Sequence, residues 1–228
     1  MPYDEVNTQG ERQIMRTEKV VDYHAPLREL LCGDATFSLL KQLTGKDKIN
    51  HKLAAGSGFV AHIDAPSYTH MGATQFIEIM VAVEPQTKEN GWLEIVPGSH
   101  KQHVDLSNGG RVANEWESSN EFVPLLLSPG MKRRESFHVA SDKVTRRYAH
   151  LRARLSSPLR SNMTKKRRAA VFGTYHFQLN QPDLREKYYA HRRVHFPPDH
   201  EREKGEAYKE GWTMFAYSSP FTKPKVTV

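Results

Sequence analysis

The feature that most constrains the fold is a succession of short, β-rich segments that fills the chain after Gly45. Aromatic and β-branched residues are concentrated in these segments, and Gly, Pro and Asn residues separate them. Strands are predicted at residues 59–64, 75–84, 92–96, 122–127, 169–177 and 212–217. Residues 181–211, rich in charge and proline, are expected to form loops and a short helix. Because no helices alternate regularly with the strands, the sequence favours a mainly β sandwich or double-sheet jelly roll over a doubly wound parallel sheet.

Two helical patterns precede these strands. Pro26 suits the first turn of a helix, a stripe of leucines follows it, and Gly33 is placed to end it. Asp34 is suited to cap a second helix, which keeps helical spacing up to Gly45. We therefore expect two short helices packed on a sheet, preceded by a polar, poorly ordered N-terminal arm over residues 1–20.

The positive charge of the chain is concentrated in one segment. The formal net charge is +7, from 33 Lys and Arg residues and 26 Asp and Glu residues. Thirteen of the basic residues and two of the acidic ones lie within residues 131–168, so this segment carries +11 and the rest of the chain −4. Nucleic-acid binding through this segment is one alternative, and its affinity would fall steeply with salt. The segment matches no recognition module, and runs of Lys and Arg are most often solvated surface, so that alternative is not favoured.

Cysteine content and hydropathy bear on the cellular compartment. Cys32 is the single cysteine, which excludes a disulfide within the chain and favours a reducing compartment. No apolar run reaches the roughly 20 residues that a membrane-spanning helix needs, and no signal-peptide pattern follows Met1. Residues 225–228 do not form a Ser-Lys-Leu peroxisomal signal. These features predict a cytoplasmic protein without a membrane partner, and they leave the oligomeric state open.

The most suggestive local pattern for chemistry is His62-Ile-Asp64, within the strand predicted at residues 59–64. Side chains at i and i+2 of a strand lie on the same face, so the imidazole and the carboxylate would point together. They would supply two of the three ligands of a 2-His-1-carboxylate site, which holds Fe(II) and leaves coordination positions open. Ordinary hydrogen-bonded His–Asp pairs give the same pattern, and a second histidine ligand would have to come from a distant strand.

Two further stretches give this pair a context. Residues 90–100 read NGWLEIVPGSH, and residues 166–175 read KRRAAVFGTY. Together with His62-x-Asp64, they resemble the phytanoyl-CoA dioxygenase family of Fe(II)- and 2-oxoglutarate-dependent oxygenases. The resemblance implies a double-stranded β-helix, or jelly-roll, oxygenase domain over residues 21–228.

The same resemblance implies the cofactors and the residues that hold them. His62 and Asp64 would bind Fe(II), and Arg168 would hold the remote carboxylate of 2-oxoglutarate, because a planar guanidinium pairs with a carboxylate in a bidentate way. The activity implied is hydroxylation of a small organic molecule or an acyl thioester, coupled to oxidative decarboxylation of 2-oxoglutarate. Ascorbate could serve as a reductant.

The pattern departs from the family at the distal histidine ligand. Counting back from Arg168, the expected position is Ser157, whose hydroxyl cannot replace an imidazole as an iron ligand of comparable strength. His150 and His138 are the available substitutes, and His150 is preferred because it lies nearer Arg168 in the sequence. The atypical basic segment at residues 131–161 leaves two alternatives to a working site. One is an inactive scaffold of the same fold, and the other is an out-of-frame or unspliced stretch in the gene.

Overall fold

The computed structural model of the protein describes thirteen parts of the chain: residues 2–6, 12–45, 50–53, 62, 68, 70–71, 76–90, 92–99, 102–107, 112–129, 151–153, 169–176 and 184–215. The strands described are β1 (Pro2–Val6), β2 (Arg12–Thr17), β3 (Asn50–Leu53), β4 (Phe76–Ala82), β5 (Leu93–Ile95), β6 (Val123–Leu125), β7 (Leu151–Ala153) and β8 (Ala170–His176). The α-helices described are α1 (Val20–Tyr23), α2 (Ala25–Cys32), α3 (Asp34–Thr44), α4 (Asn114–Ser118), α5 (Leu184–His195) and α6 (Lys209–Phe215). None of these helices combines the length and the apolar character that crossing a membrane requires.

The described strands form three small antiparallel sheets. β1 pairs with β2, β8 lies between β3 and β4, and β5 lies between β6 and β7. The longest pairing joins β4 and β8 over seven residues each, from Phe76 opposite His176 to Ala82 opposite Ala170. The predicted strands at residues 75–84, 92–96, 122–127 and 169–177 are therefore confirmed in position, although all four described strands are shorter than predicted.

The two faces of the β3–β8–β4 sheet meet different partners. On one face, Tyr175 of β8 packs against Leu40 of α3. On the other, Met80 of β4 packs against Leu93 of β5 and Leu125 of β6. Because side chains alternate along a strand, Met80 shares its face with the other even-numbered residues of β4 and, through the strand register, of β8. We call this the inner face, since it is turned toward the second three-stranded sheet.

Tyr175 ties the sheet to the helices that cover its outer face. Its side chain is fully buried, and its hydroxyl donates to the carbonyl oxygen of Leu31, near the end of α2, at 2.8 Å. Burial raises the pKa of Tyr175 well above its ordinary value, so the hydroxyl remains a donor across the physiological range. This one bond links residues 144 positions apart in the sequence.

Replacing Tyr175 with phenylalanine is expected to lower the free energy of unfolding by about 1–3 kcal/mol, because the buried Leu31 carbonyl loses its donor. Urea denaturation measures the loss. Tyr23→Phe is the matched control, since the Tyr23 hydroxyl also donates to a backbone carbonyl but the side chain is 58% exposed. The control should lose no more than about 0.5 kcal/mol. Equal losses in the two variants would contradict the interpretation of Tyr175 as a buried tie.

The two N-terminal helices follow the sequence signals with one correction. Pro26 lies in the first turn of α2, and Gly33 ends that helix by donating its N–H to the carbonyl of Glu29. A side chain at Gly33 would clash with that same carbonyl oxygen, which explains the glycine. Asp34 is the first residue of α3 and not its cap, because Gly33 occupies the N-cap position. Gly45 ends α3 with a left-handed φ of 67°, as glycine allows.

The N-terminal arm was expected to be poorly ordered because of its polar composition, but it contains regular structure. β1 and β2 pair as an antiparallel hairpin, with an irregular register between Tyr3 and Asp4. The sequences of these strands contain few apolar residues and no apolar–polar alternation, and Ile14 is 70% exposed. A search for apolar alternation does not detect such a pairing.

The strand predicted at residues 212–217 is wrong, because the chain is helical through α6 up to Phe215. The aromatic content of this stretch resembles that of a strand. At helical spacing, however, Gly211 and Phe215 lie on one face of α6, and that face packs against the end of α5. A side chain at Gly211 would collide with the carbonyl oxygen of His195. Close packing of two helices thus overrides local propensity here.

Two further predictions about loops are corrected. Within residues 181–211, α5 is a twelve-residue helix and not a short one. Its buried positions include Leu184, Tyr188 and Arg192, which are spaced by four residues as on one face of a helix. Within the basic segment, where no clean strand was expected, β7 pairs with β5 and extends the second sheet.

Three imidazole rings form a stack beside α5. The ring centroids of His70 and His191 lie 4.0 Å apart, and those of His191 and His195 lie 4.1 Å apart. Burial lowers the pKa of His191, the neighbouring His195 lowers it further, and Glu210 acts in the opposite direction. A proton is therefore bound less readily by His191 in the folded chain than in the unfolded one.

From this shift we expect the free energy of unfolding to fall as the pH is lowered. The contribution of His191 is full above about pH 6.5, the ordinary pKa of histidine, and is lost as the pH falls through the depressed folded value. Denaturant titrations between pH 7.5 and pH 5 measure the slope. His191→Gln should make the dependence shallower, and His103→Gln, which changes a 90% exposed side chain, serves as the control. An unchanged slope in His191→Gln would contradict the prediction.

Candidate functional site

The structure locates one of the predicted iron ligands. His62 is 8% exposed and forms a single β-bridge. In the described part of the chain, no three His, Cys, Asp or Glu side chains are grouped so that they could hold a metal ion. The other residues singled out for the site lie outside the described residues: Asp64, His138, His150, Ser157 and Arg168.

Two histidines that the sequence analysis did not assign to the iron have defined surroundings. His103 is 90% exposed, and its Nε2 lies 3.3 Å from Asp105 Oδ1, so it belongs to the surface. His70 has both ring nitrogens buried, and it contacts the rings of His191 and Phe215. His70 therefore has a packing role between the chain near residues 68–71 and helix α5.

The NGWLEIVPGSH stretch builds the loops on either side of β5. The Asn90 side chain donates to the carbonyl of Pro85 at 2.7 Å and accepts from the N–H of Thr87 at 2.8 Å, which closes the loop before the strand. After the strand, Gly98 has a φ of 78°, a conformation that favours glycine. Ser99, which follows it, is 2% exposed. The described part of this motif thus holds β5 in place.

A partly buried polar group lies on the inner face of the β4–β8 pair. Glu78 Oε1 accepts a hydrogen bond from Thr174 Oγ1 at 2.8 Å and one from the Tyr68 hydroxyl at 3.1 Å. Thr174 and Tyr68 are almost fully buried. His176, two residues beyond Thr174 and therefore on the same face, is 1% exposed. The inner face thus carries a carboxylate, two hydroxyls and an imidazole beside the apolar Met80.

The beginning of β8 is held firmly by the end of β4. Glu84 Oε2 accepts from the N–H of Ala169 at 2.7 Å, and the Ala169 carbonyl accepts from the N–H groups of Val83 and Glu84 at 3.0 and 3.2 Å. Ala169 directly follows Arg168 in the sequence. Three hydrogen bonds therefore fix the residue next to the one predicted to hold 2-oxoglutarate.

No motif in the sequence predicts a role for Glu78, Thr174 or His176. The signal that could have identified Glu78 is its position between Ile77 and Ile79 in a strand predicted to be buried. A charged residue at such a position is seldom buried without a partner. Its partner Thr174 could not be identified, because it is 96 residues away and its proximity depends on the strand register.

The chain is similar to known oxygenases in sequence and in fold. A profile of the phytanoyl-CoA dioxygenase (PhyH) family matches residues 4–131. The dioxygenase lolE1 of Epichloe uncinata is 46% identical over 198 residues, which cover 84% of this chain and 71% of that protein. The 2-aminoethylphosphonate dioxygenase of uncultured bacterium HF130_AEPn_1 is 29% identical over 228 residues, which cover 96% of this chain and 80% of that protein.

A solved structure extends the similarity to the fold. The non-heme alpha ketoglutarate dependent carbocyclase SnoK from nogalamycin biosynthesis superposes with a TM-score of 0.51 and 15% sequence identity, over 76% of this chain and 68% of that chain. The family profile covers more than half of the sequence, and the identity to lolE1 extends over most of it. The chain therefore belongs to the phytanoyl-CoA dioxygenase family.

Proposed function

We propose that this protein is an Fe(II)- and 2-oxoglutarate-dependent dioxygenase that hydroxylates a small organic molecule. The observation that carries the proposal is the buried His62 in a chain of the phytanoyl-CoA dioxygenase family. An imidazole on extended backbone, followed two residues later by a carboxylate, supplies two of the three donors of the facial triad. The residues present thus fit Fe(II).

The proposed iron ligands are His62, Asp64 and His150. Bound iron, together with 2-oxoglutarate, would supply the activation of molecular oxygen for the hydroxylation. The choice of His150 over His138 is supported by β7, which begins one residue after His150 and pairs with β5. A histidine next to a paired strand is better placed to reach a site between two sheets than one further away in the basic segment.

Arg168 is proposed to hold the remote carboxylate of 2-oxoglutarate. Thr174 of β8 lies on the inner face, and Arg168 precedes it by six residues. Because side chains alternate along a strand, the same alternation continued back to Arg168 would place it on that face, which supports this role. The fixed position of Ala169 would limit how far the preceding residue can move. A guanidinium held in this way can make two parallel hydrogen bonds to a carboxylate.

The fold proposed for the whole domain is a double-stranded β-helix over residues 21–228. Packing of Met80 against Leu93 and Leu125 supports it, because this contact joins the two three-stranded sheets face to face. These apolar side chains would also exclude water from the space beside the polar inner-face residues. Exclusion of water strengthens the electrostatic interactions inside an active site.

The substrate proposed is a small molecule and not an acyl thioester. One relative, 29% identical, is named a 2-aminoethylphosphonate dioxygenase, and another, 31% identical, is named a methylphosphonate hydroxylase. Both names specify small molecules. The alternatives of an inactive scaffold and of a nucleic-acid-binding protein have no support from the described residues.

The proposal is tested by incubating the purified chain with Fe(II), ascorbate and 2-oxoglutarate under air and measuring succinate. A panel of small amines and phosphonates would be added one at a time. Succinate formation that requires iron, and that a particular compound stimulates, is the expected result. Samples loaded with Zn(II), which has no redox chemistry, are the control. Absence of both succinate formation and iron-dependent 2-oxoglutarate binding would contradict the proposal.

A further inference from the structure

We propose that Glu78 is a positioning residue for the iron and 2-oxoglutarate site, an inference that rests on the proposed function. Its carboxylate accepts hydrogen bonds from two parts of the chain that are far apart in sequence. Thr174 comes from β8, and Tyr68 comes from the segment that follows the predicted iron ligands. Glu78 itself lies on β4, so three parts of the chain meet at one carboxylate oxygen.

The Tyr68 bond constrains the segment that carries His62 and Asp64. Tyr68 follows Asp64 by four residues, which span at most about 14 Å when fully extended. The Tyr68 ring is also buried in the cluster with Tyr188 and Phe215. Its hydroxyl therefore acts as a fixed point four residues after Asp64 in the sequence, and Glu78 holds that point against β4.

The Thr174 bond constrains the strand that follows Arg168. Glu78 and Thr174 lie directly opposite each other in the β4–β8 register, and the bond between their side chains is 2.8 Å long. Thr174 lies in β8 six residues after Arg168, so its bond to Glu78 fixes the strand that follows the predicted 2-oxoglutarate ligand. One carboxylate thus connects the segment of the predicted iron ligands to the strand of the predicted 2-oxoglutarate ligand.

The charge of Glu78 matters for this role. Hydrogen bonds to an ionised carboxylate are shorter and roughly twice as strong as those between neutral groups. A glutamine at this position keeps the size of the side chain and one acceptor oxygen but loses the charge. Glu78→Gln is thus expected to keep the fold and to loosen the two bonds together.

The experiment measures binding and stability separately in four proteins: the wild-type chain, Glu78→Gln, Tyr68→Phe and Glu115→Gln. Under anaerobic conditions, the charge-transfer absorption of the Fe(II)–2-oxoglutarate complex gives the Kd for 2-oxoglutarate, and thermal unfolding of the metal-free proteins gives the Tm. Glu115 lies on an exposed part of α4, so Glu115→Gln makes the same chemical change at a surface position outside the β4–β8 pair.

We expect the Kd for 2-oxoglutarate to rise about tenfold in Glu78→Gln, while its Tm stays within about 3 °C of that of Glu115→Gln. Tyr68→Phe should raise the Kd by a smaller factor, because it removes one of the two bonds. A Kd for Glu78→Gln within twofold of the wild-type value would overturn the inference, as would a Tm that falls far enough to account for the weaker binding. A wild-type chain that gives no charge-transfer absorption would instead reject the proposed function itself, and this inference with it.

Discussion

Replacing His62 with alanine is expected to abolish succinate formation from 2-oxoglutarate, lowering its rate by about 100-fold or more. Loss of residues that merely support metal ligands typically costs 10–100-fold in metal affinity or activity, and loss of a ligand should cost at least as much. The variant would offer Fe(II) one protein ligand fewer at a position that is buried in the folded chain. Succinate assays and Fe(II) titrations of the variant measure the effect.

The control for this variant is His103→Ala, which removes an exposed histidine and should leave both iron binding and turnover unchanged. Asp64→Ala should match His62→Ala in both measurements, because the two residues are proposed to bind the same ion. Circular dichroism of each variant separates loss of a ligand from loss of the fold. If His62→Ala is folded and still turns over 2-oxoglutarate at the wild-type rate, His62 is not an iron ligand.

The same assay distinguishes the candidates for the distal ligand. His150→Ala is expected to lose activity, and His138→Ala is expected to retain it. If neither change matters in an active protein, the distal ligand is a different residue. If the wild-type chain itself has no activity, sequencing the transcript across codons 130–162 would show whether the basic segment is a native part of the protein.

The sequence predicted the elements whose apolar residues alternate or repeat over several turns. β4, β5, β6 and β8 were located in this way, as were α2 and α3. In each of them, the buried face follows from spacing within a single segment, and turn residues limit its length. These are the cases in which local sequence and tertiary packing favour the same structure.

The elements that the sequence missed depend on partners elsewhere in the chain. α6 contains Trp212 and Phe215 and resembles a strand in composition, but its helix packs through Gly211 on the end of α5. The β1–β2 hairpin has no apolar alternation from which to recognise it. Propensity is a weak guide in such segments because tertiary contacts override it.

The candidate site also contains features that local sequence predicts and features that depend on distant parts of the chain. His62 and Asp64 are predicted as ligands because they are two residues apart, and residues at that spacing share a face on any strand. The interaction of Glu78 with Thr174 was not predictable, since a shift of one residue in the β4–β8 register would turn one of the two side chains to the other face. The register is a property of the folded sheet, and the sequence specifies it only through the core that the sheet buries.

Breaking the ion pair between Glu18 and Arg192 is expected to destabilise the protein by about 3–5 kcal/mol. Arg192 Nη2 lies 3.0 Å from Glu18 Oε1, and the two side chains are 3% and 1% exposed. Arg192→Met or Glu18→Gln removes one charge and leaves the other buried without this ion pair. Since small domains are stable by only about 5–15 kcal/mol, either change should remove a large part of the total. Chemical denaturation of each variant gives the loss.

Arg185→Met is the matched control, because Arg185 lies on the same helix and pairs with Asp22 at 2.7 Å, but with 20% and 44% of the two side chains exposed. Exposed pairs contribute about 0–1 kcal/mol. The double variant Glu18→Leu/Arg192→Met should be more stable than either single variant, because it removes both charges and replaces them with apolar groups. A loss in Arg192→Met no greater than that in Arg185→Met would contradict the prediction.

The expected size of this effect follows from what the pair joins. Glu18 directly follows the last residue of β2. The next residue, Lys19, has a left-handed φ of 58°, which is uncommon for a residue with a side chain. Helix α5 holds both residues, Glu18 through Arg192 and Lys19 through the Tyr189 hydroxyl, which accepts from the Lys19 N–H at 3.3 Å. Without the ion pair, the strained backbone at Lys19 would lose the stronger of these two restraints. Local opening of the chain before α1 should therefore accompany the loss of stability, and faster hydrogen exchange at the amides of α1 in Arg192→Met than in Arg185→Met would detect it.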